Sequence, residues 1–194
     1  MAWVRTVDEN EATGYLKQVY DAELNRLGFV MEATKALSIK PDLAQAFDVF
    51  TATVKQGSSL TPQERRLISL VIADQLGSAY CVLVYATEVE RDLGGLDRVS
   101  AVLRDYRGAG LDSRQIAILD YAVAAVTGRP TEAHVTRLRE AGVDDGAILD
   151  IAVWANLRAF RSRVYEALGV ETDPFFLEQI ELVQAVTVRA AQHV

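Results

Sequence analysis

Apolar residues along this chain recur every three to four positions, the spacing that places them on one side of a helix. The densest such stretch runs from Leu60 to Glu90. Thr61 reads as an N-cap, Pro62 as the first helical residue, and Glu64, three residues past the cap, completes a capping box. The run that follows is almost wholly apolar, as expected of a helix buried on most sides. Gly77 interrupts it. Ser78-Ala79-Tyr80-Cys81 then opens a second apolar run that ends in charge at Glu88, Glu90 and Arg91.

Further helices are predicted around this pair. Asn10 caps one over residues 11–27, with Ala12, Leu16, Val19, Tyr20 and Leu27 at helical spacing and Gly28 as its stop. Phe29-Val30-Met31 leads into a short helical segment before Pro41. Pro41 starts a third helix with Leu43, Phe47, Phe50 and Val54 on one face. Gly57-Ser58-Ser59 forms a turn. Beyond Glu90, Gly94-Gly95 breaks the chain, and Val99, Val102 and Leu103 mark a short helix. Asp112 and Gln115 form a second cap-like pair, ahead of a helix carrying Ile116, Leu119, Ala122, Val123 and Val126. Gly128-Arg129-Pro130 ends it, and Thr131 caps a short helix to Ala141-Gly142. A long helix runs from Asp144 to about Leu168-Gly169, with Ile148, Leu149, Ile151, Ala152, Trp154 and Ala155 turned inward. Asp173-Pro174 starts the last helix, bearing Phe176, Ile180 and Val183, with a frayed end over residues 189–194. No period-2 run with hairpin signals, internal repeat or linker breaks this pattern. The chain is expected to be all-α, a single domain over residues 1–194.

Composition narrows the partners. Half of the residues are hydrophobic, ample for one core. A net charge of −7 and a pI near 4.9 argue against nucleic acid or an anionic membrane surface. No apolar run reaches the roughly 20 residues of a membrane span, and the first residues lack the apolar segment of a secretory signal. One cysteine cannot form an internal disulfide, so a cytoplasmic location is expected.

The segment Gly77-Ser78-Ala79-Tyr80-Cys81-Val82-Leu83-Val84-Tyr85 resembles the alkylhydroperoxidase D-like, or carboxymuconolactone decarboxylase, family. That family's pattern is a helix carrying a glutamate, followed by Gly-Cys-x-Tyr-Cys-x-x-x-His. Gly77, Tyr80 and Cys81 match it. Ser78 stands in place of the first cysteine, Tyr85 in place of the histidine, and Arg66 at the glutamate. Most of the chain shares the resemblance: Glu11-Ala12-Thr13-Gly14, Leu27-Gly28-Phe29-Val30 and Lys40-Pro41-Asp42-Leu43 in the first half, Asp112 to Ala122 and Ala167-Leu168-Gly169-Val170 in the second. The resemblance implies the all-helical alkylhydroperoxidase D-like fold and a homo-oligomer. It also implies a thiolate that attacks a small hydroperoxide, a Glu–His relay that takes the thiol proton, and a second thiol that resolves the sulfenic acid. The attacking position survives as Cys81, while the relay and the resolving thiol are replaced.

The replacements cannot do the same chemistry. A serine oxygen forms no stable bridge to sulfur. A phenol with an ordinary pKa of about 10 is no base at neutral pH, and a guanidinium accepts no proton, although Arg66 could lower the pKa of a nearby thiol by its charge. Cys81 therefore reads first as a buried small hydrophobe and second as a nucleophile favoured by a helix N-terminus. Ser78, Cys81, Tyr85 and Glu88 fall on one helical stripe. Glu88 either accepts a hydrogen bond from the Tyr85 hydroxyl or is solvated near the helix end. Asp74, in the apolar run, would take a structural partner among Arg66, Arg158, Arg161 and Arg163. Asn156, Arg158 and Arg163 read as packing and ion-pair residues first, pocket residues second. Glu64 is explained by its capping box. His134 and His193 have no second ligand at metal spacing, and there is no glycine-rich phosphate loop. Neither a metal nor a cofactor is expected.

Two functions remain. One is a non-redox homo-oligomeric scaffold or small-molecule-binding protein. The other is a one-cysteine thiol peroxidase using Cys81 with an external thiol reductant. The replaced relay favours the first. A decarboxylase ranks last, since no histidine is placed as its proton donor.

Overall fold

The computed structural model describes residues 2–187, which contain helices and connecting turns and no strand. In chain order the helices are α1 (Gly14–Leu27), α2 (Glu32–Lys35), α3 (Pro41–Gly57), α4 (Pro62–Gln75), α5 (Ala79–Leu93) and α6 (Leu96–Asp105). They continue with α7 (Ser113–Thr127), α8 (Glu132–Glu140), α9 (Asp145–Ala167), α10 (Pro174–Leu177) and α11 (Ile180–Thr187). The fold is all-α, as the spacing of apolar residues implies. The expected frayed end and His193 lie outside the described residues.

Helix α4 is the axis of the molecule. Every residue from Leu67 to Ala73 is buried, because α4 packs against α5, α7 and α9 together. Each of its large aliphatic side chains contributes about 1.5–3 kcal/mol by leaving water. Its start is fixed as the sequence suggests. The Glu64 amide donates to Thr61 Oγ1 at 3.1 Å, and the Thr61 amide donates to Glu64 Oε2 at 2.8 Å. The other Glu64 oxygen accepts from Arg114 Nε at 2.8 Å, which ties α4 to α7. The α4–α5 turn closes on Gly77 at φ 68°, a left-handed conformation suited to glycine. There the Gly77 amide donates to the Asp74 carbonyl and the Ser78 amide to the Ala73 carbonyl, the double bond of a Schellman motif. The Asp112–Gln115 capping box and the Asp144 cap of α9 also form.

The outer layer departs from the pattern in places. Residues 8–11 form a turn, closed by the Glu11 amide on the Asp8 carbonyl, so α1 begins at Gly14 with Thr13 as N-cap. On α3 only part of the apolar stripe meets the core. Phe47 stacks on Phe160 of α9 and Val54 packs against the core, whereas Leu43 and Phe50 are 52% and 50% exposed. Leu149 of α9, expected inside, is also exposed. The last helix is two helices, α10 and α11. Ile180 points to solvent and Leu182 takes the buried place. Asp74 is half-buried, and Arg66, Arg158 and Arg161 hydrogen-bond to Asp92, Tyr85 and Tyr165.

One buried carboxyl joins the two ends of the chain. Asp173, 2% exposed, accepts from the Glu32 amide at 2.9 Å and the Tyr80 hydroxyl at 3.2 Å. Burial outweighs these hydrogen bonds and raises its pKa above the ordinary 3.8. The folded chain therefore holds this proton more tightly than the unfolded chain does. The stabilisation that follows is complete below the unfolded value and is lost as pH rises through the folded one. Asp173→Asn keeps an acceptor for the Glu32 amide and removes the titration. The melting temperature of this variant minus that of the parent should therefore increase between about pH 4 and pH 7. A difference that does not change with pH would contradict the assignment.

Candidate functional site

The site lies where the polar start of α4 meets α5 and α9. Helix α4 can be apolar along most of its length and still present Arg65 and Arg66, because these two residues fall one turn from its exposed N-terminus. They line a cleft of about 530 Å³ together with Pro62 and Ser69. Helix α5 contributes Tyr85, Glu88, Arg91 and Asp92, helix α9 contributes Trp154 and Arg158, and the end of α3 contributes Lys55. Five basic side chains face two acidic ones here, in a chain of net charge −7.

These cations are not equivalent. Arg66 is neutralised: Nε donates to Asp92 Oδ2 at 2.6 Å and Nη2 to Oδ1 at 2.9 Å, a two-pronged pair. Arg65 donates to the Leu60 carbonyl. Arg158 is 6% exposed, and no carboxylate pairs with it among the described residues. Its Nη1 donates to the Tyr85 hydroxyl at 3.0 Å, and its guanidinium lies 4.2 Å from the centre of the Trp154 ring. Its Nε and Nη2 are buried and meet no acceptor among the described residues. The Trp154 ring is itself fixed, since Nε1 donates to the Arg65 carbonyl at 2.8 Å and to Ser69 Oγ at 3.1 Å. Stacking of this kind is worth about 2 kcal/mol when desolvated. Burying an ion without a counter-ion costs several kcal/mol. The stacking therefore offsets only part of the cost. Lys55, 5.9 Å from the same ring, has its pKa lowered by burial first and by the Arg158 charge second.

Of the residues singled out from sequence, Arg66, Tyr85 and Glu88 come together on the cleft. Ser78 and Cys81 do not line it. Ser78, fully buried at the N-cap of α5, donates to Glu166 Oε1 at 2.9 Å. Cys81 is the third residue of α5 and 2% exposed, within the apolar core. Its sulfur makes no hydrogen bond among the described residues, and Tyr165 is an electrostatic neighbour. The stripe Ser78–Cys81–Tyr85 thus faces α9, with Ser78 held by Glu166 and Tyr85 by Arg158. The Tyr85 hydroxyl takes its bond from Arg158, and Glu88 is exposed, its solvated alternative. His134 caps α8 through Thr131, at 2.8 Å between Nδ1 and Oγ1.

Arg158, read from the sequence as an ion-pair residue first and a pocket residue second, lines the cleft. Its partner, Tyr85, is 73 residues away, and nothing in the local pattern of α9 marks it. Two hints were present. Trp154 lies one turn before it on the same face of α9, and the basic run Arg158, Arg161, Arg163 contains no acid.

Burial of the sulfur has a direct consequence. With a small aromatic disulfide reagent, Cys81 should react in the native chain at least about a hundredfold more slowly than in the urea-unfolded chain, since access requires an opening of about 3 kcal/mol or more. Equal rates in the two states would place the thiol at the surface and contradict the structure.

No family model and no curated protein matches the chain. Solved structures do. An uncharacterized peroxidase-related protein from Ralstonia eutropha JMP134, described as an alkylhydroperoxidase AhpD core, superposes with a TM-score of 0.82 at 22% identity, over 90% of this chain and 94% of that one. A peroxidase-related protein from Silicibacter sp. TM1040 gives 0.77 at 23% identity, over 90% of each chain. The debrominase Bmp8 gives 0.76 at 17% identity, over 93% of this chain and 96% of that one. A cysteine-to-alanine form of Bmp8 in complex with 2,3,4-tribromopyrrole gives 0.77. Across the helices described above, the chain has the all-α alkylhydroperoxidase D-like fold of these peroxidase-related proteins.

Proposed function

We propose that this chain is a small-molecule-binding protein of the alkylhydroperoxidase D-like fold without redox turnover, working as a homo-oligomer in the cytoplasm. The observation that carries the proposal is the enclosure of Cys81, with none of the groups at the relay positions turned toward it. Arg66 is committed to Asp92, Tyr85 to Arg158 and Ser78 to Glu166. A thiol is activated by a base or by nearby positive charge, and each of these side chains has other work. The tribromopyrrole complex of Bmp8 supports a role for this fold in holding a small organic molecule. Self-assembly is supported by Leu43 and Phe50 on α3 and by Leu149 and Phe160 on the adjacent α9, all large, apolar and exposed. The single unpaired cysteine supports the cytoplasm.

A second reading is kept because Cys81 sits at the third position of α5, where the helix dipole favours a thiolate, and two neighbours are described as peroxidase-related. In it the Cys81 thiolate attacks the outer oxygen of a small hydroperoxide. The O–O bond breaks, the alkoxide leaves as the alcohol after taking a proton, and the sulfur becomes a sulfenic acid. Two equivalents of an external thiol then reduce it, giving a disulfide and water.

Hydroperoxide consumption under excess dithiothreitol separates the two. The parent and Cys81→Ser should consume peroxide at the same rate, equal to that of the reductant alone. Turnover in the parent that disappears in Cys81→Ser would establish the peroxidase. The same preparation should sediment as a multimer, and a monomer would remove the assembly from the proposal.

A further inference from the structure

The cleft described above has an ionic imbalance that its own side chains leave uncorrected. Arg158 is nine-tenths buried, has no carboxylate beside it among the described residues, and holds two N–H groups without an acceptor there. Its third corner is occupied by Tyr85 and its face by Trp154. The unpartnered corner is therefore the Nε–Nη2 edge, which is enclosed in the ligand-free chain and has two parallel N–H bonds that match the two oxygens of a carboxylate. Arg66 shows that geometry in the same cleft, because its Nε and Nη2 take both oxygens of Asp92. We propose that the cleft is a receptor for a small organic carboxylate, which docks on the Nε–Nη2 edge of Arg158. This rests on the ligand-binding reading above and specifies the ligand's chemistry.

Carboxylate fits better than phosphate. Phosphate sites draw on helix N-termini and successive backbone N–H groups. The helix that starts at this cleft offers no run of successive amides, because Pro62 has no amide hydrogen and the Thr61 and Glu64 amides are closed in their capping box, which leaves Gln63 alone between them. A single negative charge would balance the enclosed guanidinium of Arg158. Lys55, whose ammonium is 5.9 Å from the same indole, adds a second attraction from the rim. The ligand's body would meet the Trp154 and Tyr85 rings and Pro62, which are the apolar surfaces of the cleft. A volume of about 530 Å³ admits a carboxylate of benzoate size or somewhat larger.

The test uses the full chain carrying Trp3→Phe, which leaves Trp154 as the sole indole. Benzoate, hexanoate, benzamide and inorganic phosphate are titrated separately at fixed salt, with Trp154 emission and calorimetric heat as readouts. One or both carboxylates should bind saturably in the millimolar range or tighter, at least about tenfold more tightly than benzamide or phosphate. Arg158→Gln should remove that binding, and Lys55→Gln should weaken it severalfold. Should Arg158→Gln not fold, the readout is the melting temperature of the parent, which should rise with the carboxylate and not with benzamide. Binding of carboxylate and amide alike, binding of phosphate in preference, carboxylate binding unaltered in folded Arg158→Gln, or no carboxylate binding at all would each overturn the proposal. Peroxide turnover by this chain would instead overturn the non-redox reading and leave these titrations unaffected.

Discussion

The packing of α4 against three other helices at once is the constraint from which the rest of the architecture follows. An α-helix has to satisfy its own backbone before it can be surrounded, and the Thr61–Glu64 capping box and the Schellman turn at Gly77 do this at the two ends of α4. Between them Leu67 to Ala73 exclude water completely. At its first turns Arg65 and Arg66 emerge, and there the side chains of α5 and α9 complete a polar cleft.

The same packing decides the fate of the sulfur. Helix α5 packs back against α4 after the turn at Gly77, and the side chains of Tyr80 and Cys81 are enclosed in the core. Four and seven residues past Cys81, Tyr85 and Glu88 line the cleft. One helical stripe thus joins the enclosed Cys81 to the exposed Glu88, with Tyr85 buried between them. The sulfur, enclosed in the apolar core, and two of the side chains that line the charged cleft belong to one helix.

Much of this was legible in the chain. The caps at Thr61, Asp112 and Asp144, the stops at Gly77 and Gly128, and the apolar run of α4 are local signals, and local hydrogen bonding decides them. The all-helical fold follows from them. What stayed hidden depends on residues far apart in sequence. The Ser78–Glu166 and Tyr85–Arg158 bonds span 88 and 73 residues, so no spacing rule reaches them. The apolar stripe of α3 misled for a different reason: Phe47 and Val54 face the core while Leu43 and Phe50 face outward. Apolarity marks a surface that avoids water without saying what covers it.

On the proposed reading, Arg158 is a charge kept inside the protein at a cost in stability in order to hold a ligand. The melting temperature of Arg158→Met in ligand-free buffer tests this most directly. Methionine fills similar volume without charge, and replacing an uncompensated buried ion with a well-packed apolar side chain is neutral or stabilising. The variant should melt at the parent's temperature or above it. A fall of more than about 4 °C, which corresponds to at least 1 kcal/mol in a chain of this size, would show that Arg158 holds the fold together and would contradict the account.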